Sequence, residues 1–310
     1  MSFVEKALNR LKQQQGSPSS DVVGTLANRR SRPPAPSAES HSEAPRSVRP
    51  PGASPQVTLD RHRLSEAGFL VPEEYQRRLA DEYRRIKRPL IANAFGVGVP
   101  KAEDGNLILV TSAVAGEGKT HTCINLALSL AMERDRTVLL VDGDVAKPHI
   151  SRIFGVADEP GILDVLASKQ ASLSDAIIRT DIESLSVLPA GRWNDHATEL
   201  LASARMRELA HELSTRYPDR IILFDSPPLL AATEAQALAS AVGQVVLIIA
   251  EGLTDRQAVH DALQLVDERK PVNAVLNKSR RQSSGSHYYG YGSYRGYGEG
   301  DAEEAHRATA

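Results

Sequence analysis

The stretch Asn106–Asn125, NLILVTSAVAGEGKTHTCIN, decides the fold. Leu107–Val110 is an apolar run of strand length, Ala113–Gly118 is a turn of small residues, and an apolar helical pattern begins at Thr120. A strand delivered onto a helix N-terminus leaves several backbone N–H groups unpaired, and glycines let a phosphate chain approach them closely. Gly116, Gly118, Lys119 and Thr120 stand at that junction. Lysine reaches phosphate oxygens from such a position, and the hydroxyl after it binds Mg²⁺. Ala113 stands where the usual phosphate-loop pattern has its first glycine, so the match rests on the core GEGKT.

The remaining chain is read outward from this loop. From Asn106 onward, apolar runs alternate with helical patterns. Strands are expected at Leu107–Thr111, Val138–Val141, Leu185–Leu188, Ile221–Phe224, Val245–Ile249 and Val272–Leu276. Helices are expected at Thr120–Glu133, Glu199–Arg216, Glu234–Ser240 and Asp255–Glu268. Near-continuous apolar strands separated by helices imply a doubly wound α/β domain with a mostly parallel sheet covered on both faces. Ligands in such a domain sit beyond the carboxyl ends of the strands.

Two more strands end in acid at that same edge. VLLVDGDVAKP places Asp142 and Asp144 just past one strand, and IILFDSPPLL places Asp225 past another. A lone aspartate after a strand is commonly a cap, but three beside a loop carrying lysine and threonine make a site for a nucleotide and magnesium. Carboxylates two apart on an extended chain point to opposite sides, so Asp142 and Asp144 are expected to divide metal and proton-accepting duties. Guanine recognition would favour Asn-Lys-x-Asp late in the domain. The sequence instead has Asn277-Lys278-Ser279-Arg280, which favours ATP.

Upstream and downstream the composition changes. Ser2–Gln15 reads as an amphipathic helix with Ser2 and Glu5 as a capping box, able to dock on a partner, a membrane surface or its own domain. Residues 16–56 are rich in Pro, Ser and Arg and are expected to form a disordered linker. The main domain is expected over 57–282, opening with a charged helical pattern that ends EEYQRRLADEYRRIKRPL. Glu82, Arg85 and Arg88 recur there every three residues, near one side of a helix. Taken alone, such a run is a solvated face. The tail, residues 283–310, holds Tyr288, Tyr289, Tyr291, Tyr294 and Tyr297, five of the chain's eight tyrosines, spaced by glycine. A packed core does not place aromatics this way.

The 310 residues carry a net charge of −2, which gives no argument for a nucleic-acid partner. The single cysteine, Cys123, cannot form an internal disulfide and favours a reducing compartment. No run approaches the roughly 18 apolar residues of a spanning helix, and the start lacks a signal-peptide pattern, so a cytoplasmic protein is expected.

GEGKT after a strand, the aspartates of VLLVDGDVAKP, the SPP after Asp225 and the tyrosine-rich tail together resemble the bacterial tyrosine kinases of exopolysaccharide synthesis. The start MSFVEKALNRL and DGDVAKPHISRIFG resemble most the autokinases associated with exosortase loci. The resemblance covers Glu82 through the tail and implies a P-loop ATPase fold. It makes Thr111–Thr120 the Walker A segment, Val138–Asp144 the Walker A′ segment and Ile221–Asp225 the Walker B segment. It implies nucleotide contacts along Ala115, Gly116, Glu117, Gly118, Lys119, Thr120 and His121. It gives Lys119, Asp142 and Asp144 catalytic duties, and Thr120, Asp142 and Asp225 the metal. The family's Glu-x-x-Arg-x-x-Arg motif, matched by Glu82, Arg85 and Arg88, implies contacts between subunits of a ring. That implication reverses the solvated-face reading.

The implied reaction is ATP-dependent autophosphorylation of the tail tyrosines, chiefly between neighbouring subunits, with a separate membrane-embedded chain-length or co-polymerase partner recruiting the protein to the membrane. Several phosphates on one tail are expected to loosen the oligomer. Ala115 stands where the family often has proline, and Ala146 where arginine often follows the aspartates, with Lys147 one position later. Two other readings share parts of the sequence. One is a partition or division-site ATPase switch, which typically has lysine where Val114 stands, and the other is a non-catalytic nucleotide-bound scaffold.

Overall fold

A computed structural model of the protein describes residues 55–71, 77–217 and 219–279. The N-terminal amphipathic pattern, most of the linker and the tyrosine tail lie outside the described residues. Eight strands form one sheet: β1 (Gln56–Val57), β2 (Leu107–Ser112), β3 (Thr137–Asp142), β4 (Ile178–Thr180), β5 (Leu185–Leu188), β6 (Arg220–Asp225), β7 (Gln244–Ala250) and β8 (Val272–Asn277). Their order is β1-β4-β5-β3-β6-β2-β7-β8. All pairings are parallel except β4 with β5, so the expected parallel sheet carries a reversed two-strand edge. The six expected strands are all present, each within one residue at its ends.

Ten helices are described: α1 (Arg61–Glu66), α2 (Arg77–Phe95), α3 (Lys119–Ala131), α4 (His149–Ile153), α5 (Ile162–Ala167), α6 (Leu173–Ala176), α7 (Ala197–Leu201), α8 (Ala204–Arg216), α9 (Thr233–Ala241) and α10 (Arg256–Gln264). The central strands are buried on both faces, and successive residues serve opposite cores. Ile108, Val110, Leu140, Leu223 and Ile248 pack with α2 and α3, whereas Leu107, Leu109, Val141, Phe224 and Leu247 pack with α5 to α10. This is a three-layer doubly wound domain.

Some boundaries differ from the sequence expectation for local reasons. The helix expected over Glu199–Arg216 is two helices, because Ser203 breaks it and its side chain caps the second by accepting from Met206 N at 3.2 Å. The helix expected to reach Glu268 stops at Gln264, where Asp267 turns its carboxylate onto Arg269 N at 3.0 Å and Pro271 follows. Gln56, placed in the linker, is a residue of β1. Helix α2 continues through Pro89 to Phe95. It buries Ala80, Tyr83, Lys87, Leu90 and Ala94 at spacings of three and four, with Glu82, Arg85, Arg88 and Pro89 on the exposed side.

Candidate functional site

Strand β2 lies between β6 and β7, so the loop after it opens at the middle of the carboxyl edge. Gly116 and Gly118 take left-handed φ values of 83° and 91°. A methyl group added to Gly116 would meet nothing within 4 Å, so this side of the loop faces open space, whereas one on Gly118 would lie 2.3 Å from Asn277 Nδ2. Among the described residues no acceptor engages the amides of Gly116, Gly118 or Lys119. They are the orphan donors of a helix start. Ala113 is fully buried in the core beneath the loop, where a methyl group is accommodated and a first glycine is not required.

The sheet register brings the acids together. Asp142 of β3 stands directly beside Asp225 of β6, and Asp225 beside Val110 of β2. Asp225 Oδ2 accepts from Thr120 Oγ1 at 2.7 Å. Lys119 Nζ donates to Asp144 Oδ2 at 3.0 Å. Asp142 Oδ2 accepts from Ser151 N at 2.8 Å and Ser151 Oγ at 2.7 Å. Asp142 and Asp144 therefore have different partners, as expected for residues two apart. Gly143 between them admits no side chain, because a Cβ would lie 2.5 Å from the Asp225 carbonyl oxygen.

Burial pushes the Asp225 carboxyl up to about 7, against the pull of Lys119 and Thr120, and burial likewise pushes Asp142 up to about 6 against its bonds from Ser151. One oxygen of each, Asp142 Oδ1 and Asp225 Oδ1, is buried without a partner. Two adjacent carboxylates, each with a buried oxygen that no described group engages, suit a cation. Among the described residues no group of three or more His, Cys, Asp or Glu could hold a metal alone. Mg²⁺ fits such a site because it binds through one or two carboxylates and completes its shell with phosphate oxygens and water.

Not every residue of the loop points into the site. Ala115 is exposed on it. The Glu117 side chain is 2% exposed and is turned away from the open face, with Oε2 accepting from Val114 N at 2.8 Å and Oε1 from Ala250 N at 3.2 Å and from Thr254 Oγ1. The His121 ring stacks on Phe69 at 4.9 Å between centroids and contacts Asn125, and burial lowers its pKa. Sequence reasoning missed Ser151 and Thr254 entirely. It noticed Asn277 and Lys278 only as a failed guanine motif. They brace the loop, Asn277 Nδ2 donating to Glu117 O at 2.8 Å and Lys278 Nζ to Gly116 O at 2.6 Å. Glu82, Arg85 and Arg88 lie on α2 outside this constellation. Glu82 pairs with Arg78 at 3.4 Å, and no ion pair among the described residues engages Arg85 or Arg88. The five tail tyrosines lie outside the described residues.

Residues 105–279 match the family described as an AAA domain. Over 187 residues the chain is 34% identical to the tyrosine-protein kinase YwqD of Bacillus subtilis, covering 60% of this chain and 77% of that protein. It is 33% identical to the putative tyrosine-protein kinase CapB of Staphylococcus aureus, covering 60% of this chain and 80% of the relative. The fold matches the crystal structure of the VpsO kinase domain with a TM-score of 0.54 and 30% identity, covering 66% of this chain and 97% of that domain. With its phosphate loop, its paired strand-end aspartates and these relatives, the chain belongs to the P-loop tyrosine-protein kinases of bacteria.

Proposed function

We propose that the protein transfers the γ-phosphoryl group of ATP to tyrosines of its own tail, Tyr288, Tyr289, Tyr291, Tyr294 and Tyr297. The observation that carries this reading is the pair of adjacent, half-satisfied carboxylates Asp142 and Asp225 beside Lys119 and Thr120, in a chain of tyrosine-kinase family. Phosphoryl transfer asks mostly for alignment and charge stabilisation. The free amides of the loop and Lys119 hold the phosphate oxygens. Thr120 and Asp225, with Asp142 adjacent, would hold Mg²⁺, which would supply neutralisation of the phosphate charge. Lys119 Nζ lies 3.0 Å from Asp144 Oδ2. When its ammonium turns to the phosphates, the Asp144 carboxylate is released to accept the tyrosine proton. The bond from the γ-phosphorus to the β-phosphate oxygen breaks, the bond to the phenolic oxygen forms, and ADP leaves.

The acceptor arrives from a neighbouring subunit in a ring-like assembly that uses the exposed row Glu82, Arg85 and Arg88. Two exposed guanidinium groups that no ion pair engages among the described residues suit a contact between copies. Recruitment to the inner face of the membrane is by a separate chain-length or co-polymerase partner, in keeping with the absence, among the described residues, of any helix long and apolar enough to cross a membrane. The process served is exopolysaccharide synthesis and export. Val114 at the loop position where the partition-type switch typically has lysine disfavours that alternative.

The test is to incubate the protein with Mg-ATP, with and without membranes bearing the partner, and to map phosphotyrosine by mass spectrometry beside Lys119→Met. Tail phosphotyrosine in the parent and none in the variant is expected. No tail phosphotyrosine in either, with the partner present, overturns the reading.

A further inference from the structure

Among the buried acids of this edge, Glu117 alone has no part in the reaction above. All three groups around its carboxylate are donors: the Val114 amide within the loop, the Ala250 amide at the end of β7, and the Thr254 hydroxyl in the turn beyond it. An ionised carboxylate accepts with both oxygens and donates nothing, so it suits a pocket of three donors. The backbone on either side is fastened as well. Asn277 Nδ2 holds the Glu117 carbonyl and Lys278 Nζ holds the Gly116 carbonyl, both from the end of β8. Lys278 takes a left-handed φ of 56° at that point, a conformation a non-glycine residue adopts at a cost.

We infer that Glu117 is a positioning residue that fixes the phosphate loop to the ends of β7 and β8, so that its amides face the nucleotide before the nucleotide arrives. The chemistry follows from where each group points. Two loop carbonyls are drawn toward Asn277 and Lys278, away from the phosphates they would repel. The Glu117 carboxylate draws the Val114 amide inward. Among the described residues the amides of Gly116, Gly118 and Lys119 have no acceptor, and the loop at Gly116 borders open space. A loop held in its binding conformation loses less freedom when the ligand binds. The Glu117 side chain therefore acts on nucleotide affinity without touching the nucleotide. This role rests on the nucleotide-site reading above and adds a residue to it.

The experiment measures Mg-ADP binding by calorimetry to the full chain and its variants, at a temperature where circular dichroism shows each one folded. Glu117→Ala removes all three contacts and is expected to weaken Mg-ADP by about tenfold or more, the scale of hydrogen bonds to a charged group. Glu117→Gln keeps an acceptor for Val114 and can donate to Thr254 Oγ1, so it is expected to recover most of that loss. Thr254→Val removes one donor and leaves both amide contacts, and is expected to weaken binding by about threefold. It covers the case in which Glu117→Ala does not fold. A merely structural role would lower the unfolding temperature and leave the Mg-ADP constant of the folded protein unchanged. Unchanged binding in Glu117→Ala, or in Thr254→Val where Glu117→Ala does not fold, beside a parent that binds, overturns the inference. A parent that does not bind Mg-ADP overturns the nucleotide-site reading itself.

Discussion

Replacing Asp225 with asparagine should make the nucleotide-free protein more stable at neutral and alkaline pH while removing its response to Mg-ADP. Asp225 is fully buried, with one oxygen on Thr120 and the other without a partner, and its carboxyl is pushed from 3.8 up to about 7. Between those values the folded chain holds a proton that the unfolded chain has released. Stability therefore falls as pH rises through that window, and the full cost is present above pH 7. From pH 5 to pH 8 the cost grows over about two pH units, or about 3 kcal/mol. Asparagine is neutral throughout and keeps an acceptor for Thr120, but it leaves buried amide hydrogens unpaired at about 1–3 kcal/mol. The variant should be equal to or less stable than the parent at pH 5 and more stable at pH 8. Urea unfolding of the nucleotide-free proteins at the two pH values measures this. A deficit of the same size at both values refutes the reasoning. A further gain of about 2.7 kcal/mol at a hundredfold excess of Mg-ADP over its dissociation constant should appear in the parent and vanish in the variant.

Other expectations follow from single contacts. Gly118→Ala places a methyl group against Asn277 at a left-handed φ, so calorimetry should show Mg-ADP binding lost with the fold retained by circular dichroism. Tyr83→Phe removes a buried hydroxyl beside the Thr122 and Asn125 side chains and should cost about 1 kcal/mol in chemical denaturation. Arg85→Glu with Arg88→Glu reverses the charge of two exposed residues and should shift the protein toward monomer in light scattering, with unchanged thermal stability of the single chain.

The centre of the fold was legible because its signals are local. Leu107–Thr111 is apolar throughout and a phosphate loop is contiguous, and Asp142, Asp144 and Asp225 each follow a strand directly. The reversed edge was not legible, since β1 has two residues and β4 three, too few for periodicity to register. The supports of the site were hidden for a different reason. Thr254 reaches Glu117 across 137 residues and Asn277 reaches it across 160, and nothing in either neighbourhood names the other. Ser151 is the middle residue of a five-residue helix and looks like any other surface serine, yet it is buried and holds Asp142. Asn277-Lys278 did give a signal, but base recognition was sought in it, whereas its polar atoms face the loop carbonyls.

The central claim is that the phosphate leaves ATP for a tail tyrosine and not for water. It is tested most directly by following the labelled γ-phosphate of Mg-ATP in the parent and in a variant with Tyr288, Tyr289, Tyr291, Tyr294 and Tyr297 all changed to phenylalanine. Label on protein as phosphotyrosine in the parent, and its loss in a variant that still binds Mg-ADP with the parent's affinity, is expected. Label released only as inorganic phosphate, and equally by both proteins, would contradict it.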